Sequence, residues 1–310
     1  MPLNIPKNLP AIEILKKEHI FVLDNLAALS QDIRPLRVVV LNLMPLKIIT
    51  ETDLVRLLSN SPLQIELYFM KIKSHTPKNT PIEHMKEFYK DFDSICNDCY
   101  DGMIITGAPV EQIAFEDVTY WEELKHIFNW SRTHVTSVFY ICWAAQAALY
   151  HFYGIPKYDL PSKMFGVFKH NVIDPTLPVF RGFDDEFYAP HSRHTEIRRE
   201  DILKNPELKL LSESEDAGVY MVMSREGREF YITGHSEYSP DTLHTEYIRD
   251  LQKGMSISMP ENYYCDNDSS KPPLVRWRGH ANLLFNNWLN YYVYQKSPIQ
   301  AEDTGYPEEK

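Results

Sequence analysis

The segment Tyr140-Ile141-Cys142-Trp143-Ala144-Ala145-Gln146 holds the most chemistry in this 310-residue chain. Cys142 stands where a β-branched and aromatic run gives way to an alanine-rich one, as a strand passing into a helix would. A sharp turn at such a junction lifts a side chain above the sheet edge, which is the geometry of a nucleophile elbow. A thiol held there meets helix N-terminal N–H groups and the positive end of the helix dipole, which favour thiolate. The N–H of Trp143 would point at an oxyanion. Most free cysteines are inert core residues, so the placement is what singles this one out.

A cysteine nucleophile needs a base, and Thr233-Gly234-His235-Ser236-Glu237 supplies one directly after an apolar run. Residues two apart in extended chain share a face, so Glu237 could orient His235 while His235 serves Cys142. The other candidates are weaker. Cys96-x-x-Cys99 has no second pair at zinc spacing and reads as structural, and Cys265 is incidental. His191 and His194 flank Ser192-Arg193 without an H-E-x-x-H, so this segment reads as a loop suited to a small polar substrate rather than to metal. Lys47, just after the first long strand, could meet an anionic ligand at the carboxyl edge of a sheet.

The elements that must position these residues follow from periodicity. Apolar β-type runs at 37–41, 65–69, 103–106 and 138–141 alternate with helical stretches at 51–58, 84–92, 120–130 and 144–151. This alternation predicts an α/β fold with a mostly parallel sheet and helices on both faces. The second half predicts strands at 165–172, 219–223 and 230–233, a helix at 243–253, and one long amphipathic terminal helix carrying Ala281, Leu284, Trp288, Leu289 and Tyr292 on its apolar face. Residues 135–153 are long enough to span a bilayer, but Thr136, Ser137, Gln146 and His151 interrupt them, so they read as core.

Composition removes several function classes. Among the 11 glycines no G-x-G occurs, and Gly102 and Gly107 are followed by Ala-Pro rather than Lys-Ser/Thr, which excludes the dinucleotide fingerprint and the phosphate loop. A net charge of −11 argues against general affinity for nucleic acid or anionic membranes. Four cysteines and a start without an apolar h-region point to the reducing cytoplasm.

These residues resemble the homoserine O-acyltransferases of methionine biosynthesis, which are built on a class I glutamine amidotransferase-like (flavodoxin-like) fold. The resemblance runs through PLNIPKNLPA (2–11), LNLMPLKIITET (41–52), TGAPVEQ (106–112), YICWAAQ (140–146), APHSRHTE (189–196), TGHSEY (233–238) and WRGHANLLFNNWLNYYVY (277–294). It implies Cys142 as acylated nucleophile, His235 as base and Glu237 as its partner. It places substrate contacts on Lys163, Ser192 and Arg249, with Arg249 suited to clamp a carboxylate, and a second oxyanion N–H in the loop at Gly107. Glu111, with Ser192, is the expected determinant of the acyl donor, since family members using succinyl-CoA carry Gly at 111 and those using acetyl-CoA carry Glu.

The expected reaction is acetyl transfer from acetyl-CoA to the γ-hydroxyl of L-homoserine through an acyl-cysteine, with no permanently bound cofactor, no metal, no nucleic acid and no membrane. A homodimer is left open. The alternatives are succinyl transfer or a glutamine amidotransferase-like hydrolase, the latter disfavoured because G-x-C-x-G becomes Tyr140-Ile141-Cys142-Trp143-Ala144. One domain over 1–296, with an N-terminal extension, and a polar tail over 297–310 complete the expectation.

Overall fold

Val38, Val39, Val40 and Leu41 are all completely buried, as expected of a strand covered on both faces. Alternate residues of this strand serve different cores. Val38 and Val40 pack with Leu54, Val55, Leu284 and Trp288, whereas Val39 and Leu41 face the core that holds Leu124, Phe128, Ala144 and Ala148. Helices Lys47–Leu58 and Arg278–Asn287 therefore cover one side of the sheet, and helices Trp121–His134 and Trp143–Tyr153 the other. The computed structural model describes residues 3–5, 8–17, 22–24, 34–75 and 79–297. The polar tail expected over 297–310 lies, from 298 onward, outside the described residues.

Among the described residues twelve strands form one sheet. They are β1 (Leu3–Ile5), β2 (Val22–Asp24), β3 (Leu36–Leu41), β4 (Ile65–Lys71), β5 (Tyr89–Asp91), β6 (Tyr100–Ile105), β7 (Val135–Ile141), β8 (Tyr158–Val172), β9 (Glu186–Glu196), β10 (Leu208–Ser214), β11 (Gly218–Ser224) and β12 (Glu229–Ile232). The order is β2-β1-β4-β3-β6-β7-β12-β11-β10-β8-β9, with β5 beside β4. Pairings from β2 through β12 are parallel, and those from β12 to β9 are antiparallel. The expected α/β class and mostly parallel arrangement hold. The membrane-like stretch divides into β7, almost wholly buried, and the helix Trp143–Tyr153, buried through Leu149 and half-buried beyond it, and no helix among the described residues is long and apolar enough to cross a membrane.

Three expectations need correction. The segment read as a loop around His191 is strand β9, and its buried and half-buried positions alternate strictly from His191 to Glu196. Apolar alternation is missing because the inward positions hold His191, Arg193 and Thr195. The helix expected over 84–92 ends at Phe88 and continues as β5. The terminal helix changes after Asn287 to a wider π-type winding over Trp288–Tyr294. There the Trp288 ring fits over Gly102 of β6, where an added Cβ would come within 3.1 Å of it, and its Nε1 donates to Ser137 Oγ at 2.9 Å.

Candidate active site

In parallel sheets the carboxyl ends of adjacent strands gather the loops that follow them. Here β6, β7 and β12 lie side by side, with Ile105 opposite Tyr140 and Ile141 opposite Ile232. The residues just beyond these ends are Gly107, Cys142 and His235, so the sheet order itself brings them together.

Cys142 adopts φ 52°, ψ −116° immediately before the helix Trp143–Tyr153. A positive φ costs a non-glycine residue about 1–3 kcal/mol, and it is held in place by the Cys142 N–H donating to Ile232 O at 2.6 Å and by its carbonyl capping Ala145 and Gln146. The N–H groups of Trp143 and Gly107 have no recorded acceptor among the described residues. Gly107 lies against Cys142, where an added Cβ would sit 3.2 Å from Cys142 Cβ and 3.7 Å from His235 Cε1.

His235 Nδ1 is 2.7 Å from Glu237 Oε1, with both side chains buried. That leaves the opposite edge of the imidazole for Cys142, whose charge is the strongest attraction acting on the ring. Burial, the largest single influence, disfavours the imidazolium. Attraction from Cys142 and Glu237, together with the Glu237 hydrogen bond, overrides it and raises the His235 pKa well above the usual 6.5. The ring is stacked on Tyr238, with centroids 4.1 Å apart, and the His235 N–H donates to Pro190 O at 2.8 Å. Gly234 permits this close approach, because a Cβ there would fall 3.0 Å from Pro190 O and 2.7 Å from the Tyr220 ring.

Tyr238 links this centre to a second cluster. Its hydroxyl donates to Glu246 Oε1 at 3.0 Å, and Glu246 Oε2 accepts from Ser192 Oγ at 2.5 Å and Lys163 Nζ at 3.3 Å. Lys163 also lies 3.6 Å from Asp250, which holds Arg249 through two contacts of 2.7 and 3.0 Å. Glu246, Arg249 and Asp250 fall on one face of the helix Thr242–Gln252 by their three- and four-residue spacings. The three substrate positions named from the sequence are thus neighbours. Glu246, Asp250 and Tyr238 were missed. The i, i+4 acidic pair was the available signal, but on an exposed helix such pairs are common.

Glu111 is half-buried rather than free in solvent. Its Oε2 accepts from the His194 N–H at 2.8 Å, beside Ser192 and Arg193, and its carbonyl accepts from Lys157 Nζ. Lys47 opens the helix Lys47–Leu58 that follows β3. Its ammonium donates to Asn42 O at 2.5 Å and Met44 O at 3.4 Å, and burial brings its pKa down to about 8. It lines a cavity of about 230 Å³ with Leu43, Pro109, Val110 and Tyr120. His191 and His194, three apart in a strand, point to opposite faces and cannot share a ligand.

A parallel-sheet cysteine elbow facing a His–Glu pair defines an α/β protein of the class I glutamine amidotransferase-like fold. Two solved structures share it: a glutamine amidotransferase from Thermotoga maritima (TM-score 0.55, 12% identity, 83% of this chain and 98% of that one) and one from Methylobacillus flagellatus (TM-score 0.52, 12% identity, 83% and 95%). At such identities the likeness is one of fold. Residues 2–299 match the homoserine O-succinyltransferase family, and the chain belongs to that family of homoserine acyltransferases. Among its relatives, a Parabacteroides distasonis protein named homoserine O-acetyltransferase is 75% identical over 303 residues, 98% of each chain. Proteins of the same name from Bacteroides fragilis and Acetivibrio thermocellus are 72% and 59% identical, each match covering 98% of this chain and 99% of the relative.

Proposed function

We propose that this protein is an acyltransferase that moves an acetyl group from acetyl-CoA to the γ-hydroxyl of L-homoserine through an acyl-cysteine on Cys142. The observation that carries this reading is the Cys142 elbow, set with Gly107 against a His235 that Glu237 holds from behind. Cys142 thiolate attacks the thioester carbonyl, and the oxyanion meets the free N–H groups of Trp143 and Gly107. His235 gives its proton to the departing CoA sulfur. Homoserine then enters, His235 takes its hydroxyl proton, and the oxygen attacks the acyl-cysteine and releases the thiolate.

The mixed-sign cluster beside Tyr238 suits a zwitterionic amino acid. Arg249 and Lys163 match the α-carboxylate, and Glu246 with Asp250 match the α-ammonium. Arg249 is already bidentate to Asp250, so the carboxylate is met by a preoriented guanidinium.

Glu111 favours the acetyl donor. The family name specifies succinyl, but a succinyl carboxylate brought to about 4 Å from the Glu111 carboxylate would be repelled by about 4 kcal/mol at an effective dielectric near 20. That amounts to nearly three decades in rate. Acetyl carries no such charge.

Acetyl-CoA and succinyl-CoA should be compared side by side, by intact-protein mass after donor alone and by product after homoserine is added. The expected result is one acetyl adduct on the Cys142 peptide, O-acetylhomoserine as product, and a rise in relative succinyl use in Glu111→Gly. An unmodified Cys142 peptide with full activity in Cys142→Ala removes the covalent route. A wild-type preference for succinyl-CoA removes the donor assignment.

A further inference from the structure

Tyr238 is buried and held by its backbone from two sides. Its N–H donates to His235 O at 3.2 Å, and its carbonyl accepts from Nε1 of the buried Trp277 at 2.9 Å. The side chain therefore starts from a fixed point. Its ring lies over the His235 imidazole, with centroids 4.1 Å apart and planes 18° from parallel, and its hydroxyl ends on Glu246 Oε1 at 3.0 Å. Two contacts thus fix the imidazole in complementary ways. The hydrogen bond from Nδ1 to Glu237 Oε1 at 2.7 Å sets where the opposite ring nitrogen points, but it leaves the ring free to tilt about that bond. The stacked face of Tyr238 removes the tilt.

The far end of Tyr238 belongs to the mixed-sign cluster. Glu246 Oε2 accepts from Ser192 Oγ at 2.5 Å and from Lys163 Nζ at 3.3 Å, and the side chains of Glu246 and Lys163 are each 14% exposed, so a small ligand can reach them. Among the described residues Tyr238 is the side chain that stacks on His235 and also hydrogen-bonds to this cluster. An amino acid whose ammonium is held by Glu246 must present the hydroxyl at the end of its own side chain to His235. A base takes a proton only across about 2.6–3.2 Å, and a misplacement of about 1 Å can cost about a hundredfold in rate. The spacing between the ammonium anchor and the base is therefore what transfer depends on, and a rigid aromatic ring stands between them.

We propose that Tyr238 is a positioning residue that keeps the base in register with the amino-acid site: its ring holds the tilt of the His235 imidazole, and its hydroxyl, fixed on Glu246, sets the spacing to the substrate ammonium. This rests on the reading of Cys142 as the acylated nucleophile and His235 as the base. The ring then serves both half-reactions. The hydroxyl serves chiefly the transfer from Cys142 to homoserine, because loading from the donor uses no ammonium anchor.

The test separates the two half-reactions in the full chain. Loading is followed by rapid-quench intact-protein mass with acetyl-CoA alone, and transfer by loss of the adduct from acetyl-enzyme freed of donor, across a range of homoserine concentrations. Tyr238→Phe keeps the stacked ring and removes the hydroxyl, whereas Tyr238→Leu removes both. In Tyr238→Phe the transfer rate at saturating homoserine should fall by about tenfold or more, well beyond any fall in loading. In Tyr238→Leu both half-reactions should slow. A residue that merely supports the fold would lower both rates of Tyr238→Phe together, and that result overturns the proposal. Wild-type rates in both half-reactions of Tyr238→Phe also overturn it, as does a defect that saturating homoserine abolishes, which would confine the hydroxyl to binding. Loading in Tyr238→Leu at the wild-type rate overturns the role of the ring. Should Tyr238→Leu not fold, Tyr238→Phe decides alone. An acetyl adduct missing from wild type itself strikes the nucleophile reading and this proposal with it, whereas an adduct on wild type with any of the overturning results strikes Tyr238 alone.

Discussion

In the proposed reaction His235 holds a proton in one step and surrenders it in the next, and its surroundings set the terms. The folded-state pKa lies above the 6.5 of a free imidazole because Cys142 and Glu237 outweigh the burial penalty. A group raised in this way contributes stability that is complete below about 6.5 and is lost as pH climbs through the higher folded-state value. The stability gap between wild type and His235→Gln should therefore be widest in mild acid and narrow toward alkaline pH, as urea midpoints across a pH series will show. On turnover, His235→Ala should cost about two to four decades. Glu237→Ala should cost less, since water can partly replace an orienting carboxylate; a His235→Ala rate within about threefold of wild type, below that range, would assign the base elsewhere. Arg249→Ala should raise KM for homoserine and leave KM for the donor nearly unchanged. The reverse pattern in initial-rate kinetics would move Arg249 to the CoA side.

At the level of elements, the loop after β6 meets Cys142 through Gly107, where there is too little room for a Cβ. Gly107→Ala would bring a methyl to 3.2 Å from Cys142 Cβ, tighter than packed carbon atoms accept. It should lower kcat while shifting thermal stability little, and unchanged kcat would mean that the loop yields freely. Sequence made this edge legible because β3, β6, β7 and β12 end in apolar runs, each followed by a chemically distinctive residue. Cys142, His235 and Glu237 could be placed on that basis, and the structure sets them within reach of one another. The rest was opaque for a physical reason. Strand β9 buries His191, Arg193 and Thr195 by satisfying them with hydrogen bonds, so its periodicity exists in burial and not in hydrophobicity. Glu246 was equally hidden, since its partners Lys163, Ser192 and Tyr238 come from three separate parts of the chain.

Across the whole molecule, the last described segment braces the middle of the sheet from the side that holds the helix Lys47–Leu58. Trp288 is fully buried, packs on Phe139 at 5.3 Å between ring centroids, and is hydrogen-bonded to Ser137. Trp288→Ala should cost about 3–5 kcal/mol by urea unfolding. Since the ring lies along the strands rather than at their carboxyl ends, KM for homoserine in the surviving folded fraction should remain near that of wild type. The adjacency of β7 and β12 bears also on the order of events during synthesis. Ile141 and Ile232 are neighbours in space, yet a ribosome adding about 5–20 residues per second makes them roughly 5 to 20 seconds apart. Through that interval the nascent chain owns its thiol but not the imidazole that would arm it. Pairing distant stretches is also the slow, entropically costly part of folding. The last strand to slot into the centre of the sheet is thus the one that switches the enzyme on, and recovery of activity on refolding marks the closing of the sheet's interior, not the first appearance of its helices.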